Sequence, residues 1–185
     1  MSVYGIEKGR ITFDTKPNPK SAYGKSKYED EELISNLSNE NFIISIIRPP
    51  MVYGKGCKGN YPRLARFALK TPLFPKVDNK RSMIYIDNLS EFIKQILNEK
   101  ISGIFFPKNS EYVNTSEMIS SISKVHGKRV WLTSLFNPII MILKKLNIGV
   151  FNKIFGDLTY EKQMSSPKLN YSIFDFEQSI TKTEK

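Results

Sequence analysis

Cysteine and histidine are nearly absent: Cys57 and His126 stand alone among 185 residues. A single thiol excludes an internal disulfide framework and a cysteine-rich metal site, and suits a reducing, cytoplasmic compartment. A single imidazole removes most zinc constellations, so no metal centre is expected. Acidic residues are scarce as well, 18 against 28 Lys and Arg, which leaves a net charge of +10 and a sequence pI near 9.6. That excess favours an anionic partner, whether nucleic acid, a phosphorylated metabolite or acidic lipid. The basic residues are scattered and form no RNA- or DNA-binding motif, so nucleic acid is not the expected partner. Long apolar runs are missing too. The first ten residues, MSVYGIEKGR, lack the apolar stretch of a signal peptide. Pro138 to Leu143, followed by Lys144 and Lys145, is far shorter than the roughly 20 residues of a membrane span and reads as an amphipathic helix.

What is present is 40% hydrophobic and 12% aromatic residues, enough for one ordinary core. Lys20 to Ser38 reads as a helix after the turn-rich KPNP, with Leu33, Ile34 and Leu37 spaced for one apolar face and Asn39 at its end. Phe42 to Ile47, FIISII, has the unbroken apolar character of a strand covered on both faces of a parallel sheet, and Arg48, Pro49 and Pro50 stop it. A short helix follows from about Pro62 to Leu69, and Pro72 and Pro75 forbid its extension. Met83 to Ile86 is a second apolar strand, with Asp87 as the expected N-cap of a helix through Phe92, Ile93, Ile96 and Leu97. Gly103 to Phe106 starts another strand, Asn114 and Glu117 open a helix to Val125, and Arg129 to Thr133 reads as an edge strand. Small helices and an extended piece near Leu158 to Tyr160 complete the chain. Helices and strands alternate, which argues for an α/β architecture, but the series opens with a helix that has no strand before it.

The chemistry-bearing signal is Tyr23-Gly24-Lys25-Ser26-Lys27, because Tyr and Lys at i and i+4 on a helix share one face. A phenol, with a free pKa of about 10, does acid/base work near neutrality only beside positive charge. One adjacent cation is marginal for that task, and an oxidised nicotinamide would supply a second. By itself the pair is equally compatible with a solvated helix face.

Three motifs occur in order: SAYGKSK at residues 21–27, Arg48-Pro49-Pro50-Met51-Val52-Tyr53-Gly54 after the buried strand, and Arg81-Ser82-Met83-Ile84-Tyr85-Ile86-Asp87. With them the chain resembles the extended short-chain dehydrogenase/reductases, in particular the NAD-dependent nucleotide-sugar epimerases and dehydratases of the UDP-glucose 4-epimerase type. Ser2-Val3-Tyr4-Gly5 resembles the S-S-x-x-V-Y-G strand end of that family. The resemblance is specific from Met1 to about Leu97 and looser beyond.

The resemblance implies an α/β fold comprising the C-terminal portion of a Rossmann-like doubly wound sheet and a small mixed α/β substrate-binding lobe. Residues 1–56 would belong to the Rossmann-like part. Residues 57–185 would form mainly the substrate lobe, with Rossmann elements returning around 83–106. It implies NAD as cofactor and a nucleotide sugar, UDP-type, as substrate, in surface-polysaccharide or cell-envelope synthesis. Tyr23 would be the general acid/base, and Lys27 would lower its pKa and hydrogen-bond the nicotinamide ribose. Pro50, Met51 and Val52 would pack the nicotinamide and begin the sugar pocket. Arg81 would grip the diphosphate, the alternative being a surface ion pair, and Asn60 and Leu64 would contact the nucleotide. The first helix is one such proteins use for homodimer packing.

The match has gaps. The Gly-rich strand-turn-helix that opens such proteins is not found before these motifs, and the place of the catalytic serine falls immediately before Met1, so Ser2 is not that serine. The expectation is a chain truncated at an internal methionine, inactive alone, or a split-gene fragment that needs a separate N-terminal half. The one literal G-x-G-x-x-G, Gly54 to Gly59, is read as a substrate-side loop, since a dinucleotide fingerprint follows its strand directly and two prolines intervene here. Met51 stands where some epimerases place a substrate-binding amide, which leaves the sugar and the net reaction open.

Overall fold

The computed structural model describes residues 1–146, 149–164 and 169–185. Its strands are all short. In chain order they are β1 (Gly9–Ile11), β2 (Ser45–Ile47), β3 (Met51–Tyr53), β4 (Leu73–Pro75), β5 (Met83–Tyr85), β6 (Gly103–Phe105), β7 (Trp131–Thr133) and β8 (Leu158–Tyr160). The helices between them are α1 (Ala22–Ser35), α2 (Tyr61–Lys70), α3 (Ile86–Glu99), α4 (Thr115–Val125), α5 (Asn137–Lys145), α6 (Gly149–Phe155) and α7 (Phe176–Glu184). The strands form four parallel pairs, β1 with β8, β2 with β6, β3 with β5 and β4 with β7. Parallel pairing requires a crossover between partners, and the α/β alternation supplies one each time.

Helix α1 lies within the expected Lys20 to Ser38 but starts two residues later and ends at Ser35, with Asn36 and not Asn39 at its C-terminus. Ser21 caps it by accepting a hydrogen bond from Gly24 N at 3.0 Å. Gly24 is the one α1 residue classed as buried. A Cβ at that position would lie 2.7 Å from Ser2 O, so glycine lets the helix close on the N-terminal turn. The expected apolar face of α1 faces outward instead: Leu33 is 69% exposed, and Ile34 and Leu37 are exposed with it.

Two further expectations are corrected. Ser2–Tyr4 is a short 3-10 turn and not a strand end, with Gly5 in the left-handed region after it. Tyr85, not Asp87, is the N-cap of α3. Strand β5 runs straight into the helix, which leaves Asp87 in the first turn, where its charge complements the helix dipole. Asn114 caps α4 as expected, accepting from Ser116 N and Glu117 N.

The largest core cluster gathers Tyr53, Leu64, Met83, Met118, Ile122 and Ile180, joining α2, α4 and α7 to the β3–β5 pair. A second lies beneath α3 around Ile84, Phe92 and Tyr171. A third unites the N-terminal turn with β1 and β8 through Val3, Tyr4, Ile11, Leu158 and Tyr160.

Candidate functional site

On α1, Tyr23 is 67% exposed. Lys27, one turn on, donates from Nζ to Asp30 Oδ2 at 3.0 Å, and that hydrogen bond and the carboxylate charge hold its pKa above the usual lysine value. Both groups are therefore open to a ligand, with the ammonium turned to a carboxylate of its own helix.

Strand β3 follows the Pro49-Pro50 pair directly. Pro50 is buried, while Val52 packs partly buried against the Ile84 and Phe92 cluster. Met51 lies beside Met83 in the β3–β5 register. Both line a cavity of about 370 Å³, together with Asn60, Arg63, Leu64 and Phe67 of the α2 segment, Arg81, Thr115, and Lys153 and Ile154 of α6. All four residues assigned from sequence to the substrate, Met51, Asn60, Leu64 and Arg81, thus line one cavity. Met51 and Met83 bring thioethers to its lining, and Arg63, Arg81 and Lys153 are its basic residues.

Asn60, Arg81 and Lys153 also line a larger adjoining cavity of about 980 Å³. It extends past Tyr4 and Gly5 to Ser21, the N-cap of α1, with Lys8, Lys16 and Lys20 on its walls and Glu7 as its acidic residue. Tyr23, Lys27, Pro50 and Val52 are not among the lining residues of either cavity.

Arg81 is not a surface ion pair. It is 8% exposed, and its Nη1 donates to Gly156 O at 2.9 Å and Asn152 O at 3.5 Å, the carbonyls at the end of α6. Its guanidinium therefore supports the helix C-terminus and places Lys153 and Ile154 at the cavity. Burial pushes its pKa down and nearby Asp157 opposes that shift. Beside it, buried Asn79 donates to Thr115 Oγ1 at 2.9 Å and to Ile154 O at 3.3 Å, and accepts from Thr115 N at 2.9 Å.

The glycine-rich loop needs one correction. Because Met51–Tyr53 is itself a strand, Gly54 to Gly59 does follow a strand directly and leads into α2. Gly54 is required by packing, since its Cβ would lie 2.3 Å from Ile86 Cγ2, whereas Gly56 and Gly59 have open space around them. The next strand, β4, pairs with β7 and not with β3, and the strand that lies beside β3 is β5, reached through both α2 and β4, which differs from the direct strand-turn-helix-strand of a dinucleotide fingerprint. Asn60 at the end of the loop borders the cavity. Among the described residues no cluster of His, Cys, Asp or Glu could hold a metal ion, and no helix is long and apolar enough to cross a membrane.

The sequence reading missed Arg63 and Phe67, although both fall on the helical spacing of Asn60 and Leu64 that would have indicated them. Lys153 and Ile154 come from a distant helix and carry no motif. Only the fold brings them in.

Comparison with known proteins bears on this site. The model of the NAD dependent epimerase/dehydratase family matches residues 1–105. The chain is 31% identical over 152 residues to UDP-glucose 4-epimerase of Vibrio cholerae, covering 78% of this chain and 44% of that protein. It is 27% identical over 149 residues to N-acetyl-alpha-D-glucosaminyl-diphospho-ditrans,octacis-undecaprenol 4-epimerase of Escherichia coli O157:H7, covering 77% of this chain and 45% of that protein. The chain thus spans less than half the length of these curated relatives. Among solved structures, UDP-glucuronic acid 4-epimerase from Bacillus cereus in complex with NAD superimposes with a TM-score of 0.63 at 21% identity, over 99% of this chain and 57% of that one.

Proposed function

Because the chain belongs to the NAD dependent epimerase/dehydratase family, we propose that it carries the acid/base residues and the substrate wall of an epimerase or dehydratase acting on a UDP-type nucleotide sugar for envelope or surface-polysaccharide synthesis. The observation that carries this reading is the convergence of Met51, Asn60, Leu64 and Arg81, separated along the sequence, on one cavity that Arg63 and Lys153 also line. A sugar diphosphate suits such a lining. Arg63 and Lys153 meet its charge while Arg81 holds α6 in place, and Leu64 and Phe67 face the apolar part of the ligand.

Tyr23 exchanges a proton with a sugar hydroxyl, and Lys27 supplies positive charge beside the phenol and a donor to the cofactor ribose. NAD, when bound, supplies reversible hydride acceptance. Two features support this reading: the phenol and ammonium stand open one turn apart on α1, and the segment Pro50, Met51 and Val52 is apolar throughout. Lys27 must leave Asp30 to take up this role, an exchange that costs little at an exposed pair.

A second reading has its own support in the exposed Leu33, Ile34 and Leu37. In it the chain is a non-catalytic split-gene fragment or a subunit that works with a separate N-terminal half, or it pairs with itself through α1.

Titration calorimetry with UDP-glucose tests the cavity. Binding is expected, and Lys153→Ala weakens it about tenfold. Epimerisation is then measured for the chain alone and after addition of a polypeptide carrying a Gly-rich strand-turn-helix of this family. Tyr23→Phe retains sugar binding and lowers turnover about 100-fold to 10,000-fold. Absence of UDP-sugar binding, or unchanged turnover in Tyr23→Phe, overturns the proposal; turnover by a monomer of this chain removes the second reading.

A further inference from the structure

The net charge is not spread over the chain. Residues 41–77 and 118–156 contain thirteen Lys and Arg and no Asp or Glu, whereas the remaining residues are slightly acidic in sum. The fold brings parts of these two stretches together. Strand β4 pairs with β7, with Leu73 opposite Trp131. Asn137 Nδ2 at the start of α5 donates to Lys76 O at 2.9 Å, and Lys128 Nζ donates to Leu69 O at 2.9 Å.

The surface so formed is apolar at its centre. In α5 Ile140 points into the core, while Ile139, Ile142 and, just past the helix, Leu146 recur at i, i+3 and i+7 and are exposed. Leu135 before the helix is 83% exposed, and Trp131 and Leu73 continue the patch. Lys70, Lys76 and Lys128 are exposed around it, and the Arg129 guanidinium lies 4.2 Å from the centre of the Trp131 ring. An apolar helix covered on one face only requires something to cover the other.

We propose that this α5 and β4–β7 surface docks on an anionic lipid bilayer. Trp131, Leu135, Ile139 and Ile142 enter the headgroup boundary, and Lys70, Lys76, Lys128 and Arg129 meet lipid phosphates. The charge pattern selects this occupant. A second copy in a symmetric contact would set the same cations against each other, with no carboxylate in either stretch to receive them. A bilayer surface is uniformly anionic and accepts an apolar helix in its plane without matching pockets. Helices α2 and α6 link the docked surface to the cavity. If the cavity holds a sugar diphosphate, as proposed above, docking presents it to sugars carried on a membrane lipid; the docking itself does not depend on that.

Trp131 is the sole tryptophan, so its emission reports docking directly. Vesicles of phosphatidylcholine with phosphatidylglycerol are compared with phosphatidylcholine alone, by emission and by co-sedimentation. The anionic vesicles are expected to shift Trp131 emission to shorter wavelength and to carry the protein down, less so as salt is raised. Ile139→Asp with Ile142→Asp, and Lys128→Glu with Lys76→Glu, each weaken the partition about tenfold or more while circular dichroism and melting stay as in the parent chain. Absence of binding to the anionic vesicles, or equal binding by both double variants, overturns the proposal. So does a vesicle-free dimer that Ile139→Asp dissociates, since that makes a second copy the occupant. UDP-glucose binding in vesicle-free solution separates failure here from failure of the functional reading.

Discussion

Glu31 belongs to a run of four acids that reads as the solvated side of a helix, yet its carboxylate is one half of a largely buried pair. Arg48 donates to it from Nη2 at 2.6 Å and from Nε at 3.0 Å, and from Nη1 to Tyr4 OH at 2.8 Å. The guanidinium also lies over the Tyr4 ring. Removing the carboxylate leaves a guanidinium with little access to water. Glu31→Ala is therefore expected to cost about 3 kcal/mol by urea denaturation, against less than about 0.5 kcal/mol for Glu29→Ala, which is exposed. Tyr23 and Lys27 were legible because i, i+4 spacing needs only helix geometry. Arg48 was legible only as a motif member, since the side chains that bury it come from outside its own segment.

At the scale of elements, the long helices and the apolar strands β2, β5 and β6 could be read from periodicity, capping residues and β-branched runs. Strand β3 could not, because the prolines that end one strand immediately precede the next. Strands β1, Gly9-Arg10-Ile11, and β4, Leu73-Phe74-Pro75, carry glycine, arginine or proline in place of an apolar run and read as loop. What joins the elements at the cavity is equally silent in sequence. Asn79 ties the segment before β5 to the first turn of α4 and the end of α6 through a buried amide, and a buried polar network has no spacing signature. Asn79→Ala removes its amide while Thr115 N and Ile154 O remain in place. The expected loss is about 2 to 4 kcal/mol by denaturant unfolding. Because α6 carries Lys153, UDP-glucose affinity should fall in the same variant under conditions where it is still folded.

For the molecule as a whole, several tyrosines lie in the interior. Burial, with the hydrogen bond to Asp87, pushes the Tyr85 phenol up to about 12, and burial raises Tyr53, Tyr61 and Tyr160 as well. Each is a neutral phenol favoured by the fold. The unfolded chain releases these protons from about pH 10, so their contribution is complete below that pH and is lost as pH rises toward 12. Tyrosinate absorbance of these residues should therefore appear together with loss of the helical circular dichroism signal. Ionisation of the buried set in a still-helical protein would contradict it. The net charge of +10 was legible from composition, but that Lys76 and Lys128 come to one surface needed the β4–β7 pairing to be known.

The all-parallel pairing has a consequence for how the chain comes to be folded. No pair can be closed by a tight turn, so none forms as an independent hairpin during synthesis. Strand β1 waits longest: its partner is β8, and Arg10 meets Glu161 from 151 positions away. During synthesis β1 and its buried Ile11 stay unpaired until β8 has emerged. Closure entropy must be met before the contact repays it, which puts this molecule among slow, late-committing folders.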